Sequence, residues 1–372
     1  MSGAGLRALI TVDAVGGVWQ YGLDLASGLA ARGVEPVLAV MGPKPDAAQR
    51  EEAHRIDGVT IVETGLPLDW LSDSADPILA AGRALAEFAG DIAADIVQLN
   101  MPTLAAAPPP RVPVVAVTHG CVATWWEAAK PGEALGTDYH WHRDLMAQGL
   151  RAADRVVAPS ASYARTIARY YALDQAPVVV HNGRTPIAAP TEGPFPDRAL
   201  TVGRLWDSVK CAGMLDRVAA RIHVPFSAAG NPVGPHGERV ELHHLNLLGQ
   251  LDAVQLGREL AARPIFVSAA SFEPFGLAVL EAAQAGCPLV LSDIDTFREL
   301  WDGAACFVPA GDEIALERAI TGLVEDEALR LRLSEAARKR ATQYAPRKMA
   351  DSMLAIYREA LASSPPAGRV AA

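Results

Sequence analysis

Two periods alternate along the chain. Short runs rich in Val, Ile and Leu suit the strands of a parallel sheet covered on both faces: "RALITVDAV", "EPVLAVMG", "DIVQLNM", "VPVVAVTHG", "ADRVVAPS" and "APVVVHNG". Ala- and Leu-rich stretches with helical spacing stand between them, among them "GVWQYGLDLASGLAARG" and "ASYARTIARYYAL". The rhythm stops at "RTPIAAPTEGPFPDR", residues 184–198, which is Pro-rich and aperiodic and reads as a linker. A second series then begins: "ALTVGRL", "VPFSAAG", "VELHHLNLLGQL", "ARPIFVSA", the helical "FGLAVLEAAQAG", "CPLVLSD" and "ACFVPAG". Near the end, Met349, Met353, Ile356 and Ala360 recur at helical spacing and predict a helix packed on one side. The expected organisation is an α/β domain over residues 1–185, a linker over 186–198 and a second α/β domain over 199–345. A terminal helix over 346–362 and a frayed tail over 363–372 follow. Two such domains are expected to face each other across a cleft, because open parallel sheets bind ligands at the carboxyl ends of their strands.

Composition agrees with this picture. A chain of 372 residues, 50% hydrophobic and 20% charged, is too long for one core, and two domains follow. Its formal charge of -10, acidic in both halves, leaves no basic face for nucleic acid. The amino terminus, "MSGAGLRALITVDAVGG", lacks a signal-type apolar core and reads as a first strand. No stretch reaches the roughly 18 apolar residues that a membrane span needs. A cytoplasmic protein is expected, with peripheral membrane contact left open. Cys121, Cys211, Cys287 and Cys306 form no CxxC pair, so buried thiols are expected rather than a zinc site or a disulfide framework. The pairs His140/His142 and His243/His244 have no carboxylate or Cys at ligand spacing, and no metal is assigned.

Four places can do chemistry. In "SFEPFGLAVLEAAQAG", residues 271–286, a loop leads into a helix beginning at Phe275 or Gly276. The free amides at that helix start suit an anionic or hydroxyl-rich ligand, and Gly276 lacks the Cβ that would hold it off. Glu273 just before the helix can accept from sugar hydroxyls. Glu281, about one and a half turns along, can accept from two vicinal ribose hydroxyls. The plainer alternative is that Glu273 serves the helix dipole and Glu281 is a solvated face residue. In "TVGRLWDSVKCAG", a strand end delivers Arg204 and, six residues later, Lys210; a planar fork and a point charge together suit a diphosphate. In "VDAVGGVWQYG", Gly16 and Gly17 join the first strand to a helix without meeting GxGxxG. Lastly, "VAVTHGC" puts His119 at a strand's carboxyl end. GxSxG, HExxH and GxxxxGK[ST] are absent, which weakens hydrolase, metalloprotease and P-loop readings.

Taken together, "GGVWQYGLDLA", "ADRVVAPSAS", "VHNG", "VGRLWDSVK", "EPFGLAVLEAAQAGCPLVLSD" and "FRELWDGAACFV" resemble, in order, the motifs of the family 4 retaining glycosyltransferases of group 1. The resemblance runs from Gly16 to the terminal helix, and its most specific part is the E-x7-E segment from Glu273 to Glu281. It implies the GT-B fold, two Rossmann-like parallel-sheet domains facing across a cleft, and transfer of a sugar from a UDP- or GDP-sugar to an acceptor hydroxyl. Polysaccharide or glycoconjugate synthesis is the implied setting. By the resemblance, Arg204 and Lys210 bind the donor diphosphate, Glu281 the ribose and Glu273 the transferred sugar. Backbone amides of Phe275, Gly276 and Leu277 assist, Gly16 and Gly17 line the cleft beneath the diphosphate, and His119 contacts the sugar. No cofactor and no metal are implied; the acceptor is a carbohydrate, a lipid-linked or a small molecule. In two places the chain departs from the family: Lys210 lies one residue farther from Arg204 than in many members, and "VHNGRT" lacks the acidic residue that many carry, so no role is drawn from Asn182 or Arg184. Rival readings are a nucleotide-sugar 2-epimerase of similar fold and a non-catalytic sugar-nucleotide binder.

Overall fold

The computed structural model describes residues 5–189 and 191–363. It divides into two units, one built from Met1–Glu127, Gly132–Gly183 and Pro346–Ala372, the other from Ala128–Pro131 and Arg184–Ala345.

The first unit holds a seven-stranded sheet of β1 (Arg7–Asp13), β2 (Glu35–Met41), β3 (Thr60–Glu63), β4 (Ile96–Leu99), β5 (Val114–Val117), β6 (Arg155–Ala158) and β7 (Val178–Val179). The order is β3-β2-β1-β4-β5-β6-β7, and every neighbouring pair is parallel. In β1 the period of two sorts residues between two cores: Ala8, Ile10 and Val12 enter one, Leu9 the other. The chain leaves β1 to one side for β2 and crosses to the other for β4. Their carboxyl ends therefore flank a switch point, the place where open α/β sheets form a crevice.

The second unit repeats the plan with six strands: β8 (Ala199–Val202), β9 (Phe226–Ala229), β10 (Asn246–Gly249), β11 (Ile265–Ser268), β12 (Leu289–Ser292) and β13 (Cys306–Val308). Their order, β10-β9-β8-β11-β12-β13, is again wholly parallel, with the switch point between β8 and β11. Phe266, Leu289 and Leu291 face one core, and Ile265, Val267 and Val290 the other.

The terminal helix, Pro346–Ser363, belongs to the first unit. It buries Met349, Met353, Ile356 and Ala360, the spacing read from the sequence, together with Tyr357, in the same core as the helix Gly17–Ala30. The approach is close: a Cβ built on Gly28 would lie 2.6 Å from the Ala350 methyl. Arg32 ties the two helices from outside, its Nε 2.6 Å from Asp351 Oδ1.

Several sequence readings change. The stretch "TWWEAAKPGEALGTDYHWHRD", read as a loop, enters the helix Val122–Ala129 at one end and the helix His140–Ala152 at the other; Trp126 packs against Tyr139 at 5.7 Å. Apolar spacing in each half was too short to register as helical. The run "VELHHLNLLGQL" yields only the four residues of β10. Cys121 and Cys287 are buried but Cys211 and Cys306 only half-buried, and all four are free thiols. Of the tail, Ser363 ends the terminal helix and 364–372 lie outside the described residues. Among the described residues no helix is long and apolar enough to cross a membrane.

Candidate active site

The loop after β8 and the loop after β11 meet at the second unit's switch point, joined by Ser271 N–H donating to the Val209 carbonyl at 2.9 Å. Buried Asp207 organises the first loop. It accepts from Arg204 Nη2 at 2.8 Å and caps the short turn Ser208–Lys210, which presents the lysine. Lys210 Nζ then reaches Glu273 Oε2 at 2.6 Å, each side chain about one-fifth exposed. Arg204 is half-exposed, its guanidinium 5.5 Å from the Trp206 ring centre.

Gly276 supplies the geometry of the second loop. Its φ of +93° is left-handed, the conformation that favours glycine, and an added Cβ would also sit tightly, 3.3 Å from Glu273 Cγ and 3.2 Å from the Phe297 ring. The helix it caps, Leu277–Gln284, starts two residues later than the earlier of the two starts read from sequence. No side-chain cap hydrogen bond serves the helix start, so the amides of Leu277, Ala278 and Val279 have no intrahelical acceptor and no cap there. They give the loop a positive end beside Glu273 and Lys210. Phe275 is buried, its ring edge-on to Tyr344 at 5.6 Å, which pins the loop to the core.

Glu281 is not on a solvated face. It is 8% exposed and receives Arg184 Nε on Oε1 at 2.7 Å. Arg184 is itself 5% exposed and held at both backbone ends, its N–H donating to the Tyr344 carbonyl at 3.2 Å and its carbonyl accepting from Gln284 Nε2 at 2.6 Å. Arg184, given no role from the sequence, is thus the fixed partner of Glu281. The two lie 97 positions apart, and no local signal links them.

In the first unit, Gly16 and Gly17 follow β1. Gly16 is an extended N-cap at φ −149°, and a Cβ there would meet nothing within 4 Å. The fold therefore does not require glycine at Gly16, and the space above it is open. His119 follows β5, half-buried, its ring edge-on to Tyr21 at 4.4 Å and its Nε2 3.1 Å from Asn100 Oδ1. Burial pushes its pKa down to about 4, so the ring is neutral at pH 7. His142, for which the sequence offered no carboxylate at ligand spacing, lies 3.2 Å from buried Asp69, itself bonded to Thr103. Among the described residues no group of three His, Cys, Asp or Glu comes together as a metal site.

Residues 15–186 match the family model Glycosyltransferase Family 4, and residues 238–340 match Glycosyl transferases group 1. The chain belongs to the family 4 glycosyltransferases. This glycosyltransferase is 36% identical over 128 residues to phosphatidyl-myo-inositol mannosyltransferase of Mycobacterium leprae (strain TN), covering 33% of each chain, about a third of that relative's length. It is 26% identical over 369 residues to glycogen synthase of Mycobacterium tuberculosis, covering 88% of this chain and 87% of that one. The structure of Anabaena HepE in complex with UDP-glucose superimposes with a TM-score of 0.74 at 16% identity, covering 95% of this glycosyltransferase and all of HepE. The fold is therefore GT-B.

Proposed function

We propose that the chain is a retaining glycosyltransferase that takes its sugar from a nucleoside diphosphate sugar, UDP- or GDP-linked, and passes it to an acceptor hydroxyl in polysaccharide or glycoconjugate assembly. The observation that carries this is the meeting of Lys210 and Glu273 at 2.6 Å beside the capless start of the helix Leu277–Gln284. A cation for phosphate, a carboxylate for sugar hydroxyls and a positive helix end stand together there. UDP-glucose in HepE supports a donor of this class.

Chemistry follows from these parts. As the bond from the sugar's anomeric carbon to the diphosphate oxygen breaks, its electron pair leaves with the phosphate. Lys210, Arg204 and the amides of Phe275, Gly276 and Leu277 stabilise that charge without reorganising. Glu273 holds the sugar's hydroxyls and Glu281 the ribose, while His119 meets the sugar, and Gly16 and Gly17 leave room for the diphosphate. The acceptor oxygen forms its bond on the face being vacated, and its proton passes to the leaving phosphate oxygen, so neither a metal nor a separate base is called upon. The acceptor is a carbohydrate, a lipid-linked or a small molecule, and nucleic acid is not expected as a partner. The enzyme is proposed to work in the cytoplasm, with peripheral contact at the membrane kept as part of the proposal. The 2-epimerase reading has no observation of its own in its favour.

Product analysis tests the proposal. Incubated with UDP- and GDP-sugars, with and without EDTA, the enzyme should release nucleoside diphosphate and give a transferred or hydrolysed sugar with its anomeric configuration kept. An epimerised donor, or donors returned unchanged, would contradict it.

A further inference from the structure

His119 is wired from behind, and one main-chain carbonyl sets the direction of every hydrogen bond in the wiring. Asn100 Nδ2 lies 2.5 Å from the Thr11 carbonyl, which can only accept. The amide is thereby oriented, and Asn100 Oδ1 must face the other way, toward Gln98 Nε2 at 3.0 Å and His119 Nε2 at 3.1 Å. Both of those nitrogens therefore donate. Gln98 is oriented in turn: its Nε2 also donates to the Tyr21 hydroxyl at 3.3 Å, and its Oε1 accepts from the Tyr357 hydroxyl at 2.6 Å. A second bond, from the Asn100 N–H to Thr11 Oγ1 at 2.9 Å, locks the backbone at the centre. Thr11, Gln98, Asn100, Tyr21 and Tyr357 are all at least nine-tenths buried, so reversing any amide would set two acceptors against each other out of reach of water.

The geometry points to Asn100 as a positioning residue that holds His119 as the neutral Nε2–H tautomer, turning a bare Nδ1 acceptor toward ligand and so selecting a hydroxyl over a phosphate or carboxylate at that point. The inference rests on the reading of His119 as a sugar contact. Its physical basis is that an imidazole with the proton on Nε2 has only a lone pair to offer at Nδ1, which attracts an O–H and repels an anion. The low pKa adds to this, because the ring stays uncharged and gains nothing from an anionic partner. Without the Thr11–Asn100 constraint a neutral histidine would exchange tautomers, and part of the population would present the wrong group. Tyr357 lies on the terminal helix and Gln98 on β4, so the wiring makes the last helix a determinant of the His119 tautomer.

Ring-15N NMR of the full-length enzyme at pH 7 tests this, with His119→Gln identifying the resonance. The wild-type spectrum should show a protonated Nε2 and an unprotonated Nδ1. Adding UDP-glucose should shift the Nδ1 resonance, and adding UDP alone should leave it in place. In Asn100→Ala the tautomer preference should fade and the KM for the nucleotide sugar rise about tenfold, the loss of one well-placed hydrogen bond, with inhibition by free UDP unchanged. A protonated Nδ1 or an imidazolium in the wild type would overturn the wiring, and that result needs no variant to fold. The expected tautomer with no response to any nucleotide sugar would overturn the capture of a hydroxyl while leaving nucleotide binding by the second unit to be judged separately, from the UDP inhibition.

Discussion

Glu281 holds Arg184 and is proposed to hold the ribose, and its substitution should report both. Removing the carboxylate takes away the proposed charge-assisted partner for the ribose, which should weaken nucleoside diphosphate binding by about 1–3 kcal/mol. It also takes a carboxylate partner at 2.7 Å from Arg184, a cation that stays charged and is only 5% exposed. Breaking a buried pair from one side costs about 3–5 kcal/mol. Glu281→Ala should therefore lower stability in urea by that amount, and Arg184→Met in the Glu281→Ala background should recover part of it; additive losses would contradict the pairing. Glu273 behaves differently, because its partner Lys210 is also the proposed phosphate ligand. Glu273→Gln frees the lysine, so free nucleoside diphosphate should bind as tightly or up to about fivefold tighter while turnover falls, the gain expected from releasing a partly exposed ion pair. Titration calorimetry that found weaker binding of the free diphosphate would count against Lys210 as its ligand. Lys210, Glu273 and Gly276 were legible because each sits within a few positions of a strand end or helix start. Arg184 was not, because only the folded chain brings it to Glu281.

At the scale of elements, the strands and helices were legible wherever one period held for long enough. The β1 run and the terminal helix each bury the residues that their spacing marks. The two helices beginning at Val122 and His140 were missed, since their aromatic and polar residues give no clean stripe. The terminal helix adds its energy through Met353, fully buried against the helix Gly17–Ala30. Met353→Ala should cost about 2–5 kcal/mol, the usual range for emptying a core site, read as a lowered urea midpoint. A loss well under 1 kcal/mol would mean that the helix is only loosely seated.

For the whole molecule, the sequence made two α/β units legible from the aperiodic stretch at 184–198, yet the order of strands in each sheet could be read only from their pairing. That order matters, because it brings the Asp207 and Gly276 loops to one switch point. It also seats Asn100 after β4, beside Thr11 of β1, where the His119 wiring begins. The buried histidine makes stability depend on pH with a definite sign. An unfolded histidine binds a proton below about 6.5, whereas folded His119 does so only near 4. Between those values the unfolded chain holds the extra proton, so stability is intact above about pH 6.5 and falls as pH drops toward 4, by at most about 1.4 kcal/mol per unit from this group. Urea unfolding of the wild type and His119→Gln at pH 7, 6 and 5 should show the slope reduced in the variant; parallel profiles would contradict the depressed pKa.

The central claim is that the second unit holds the diphosphate of a nucleotide-sugar donor. Thermal unfolding of the enzyme with UDP, GDP, ADP and NAD in turn, with and without EDTA, tests it most directly, since a ligand at about 100 times its Kd adds roughly 2.7 kcal/mol of stability. One nucleoside diphosphate should raise the midpoint, equally in EDTA, and lose that effect in Lys210→Ala. No shift with any diphosphate, or a shift with NAD alone, would contradict it.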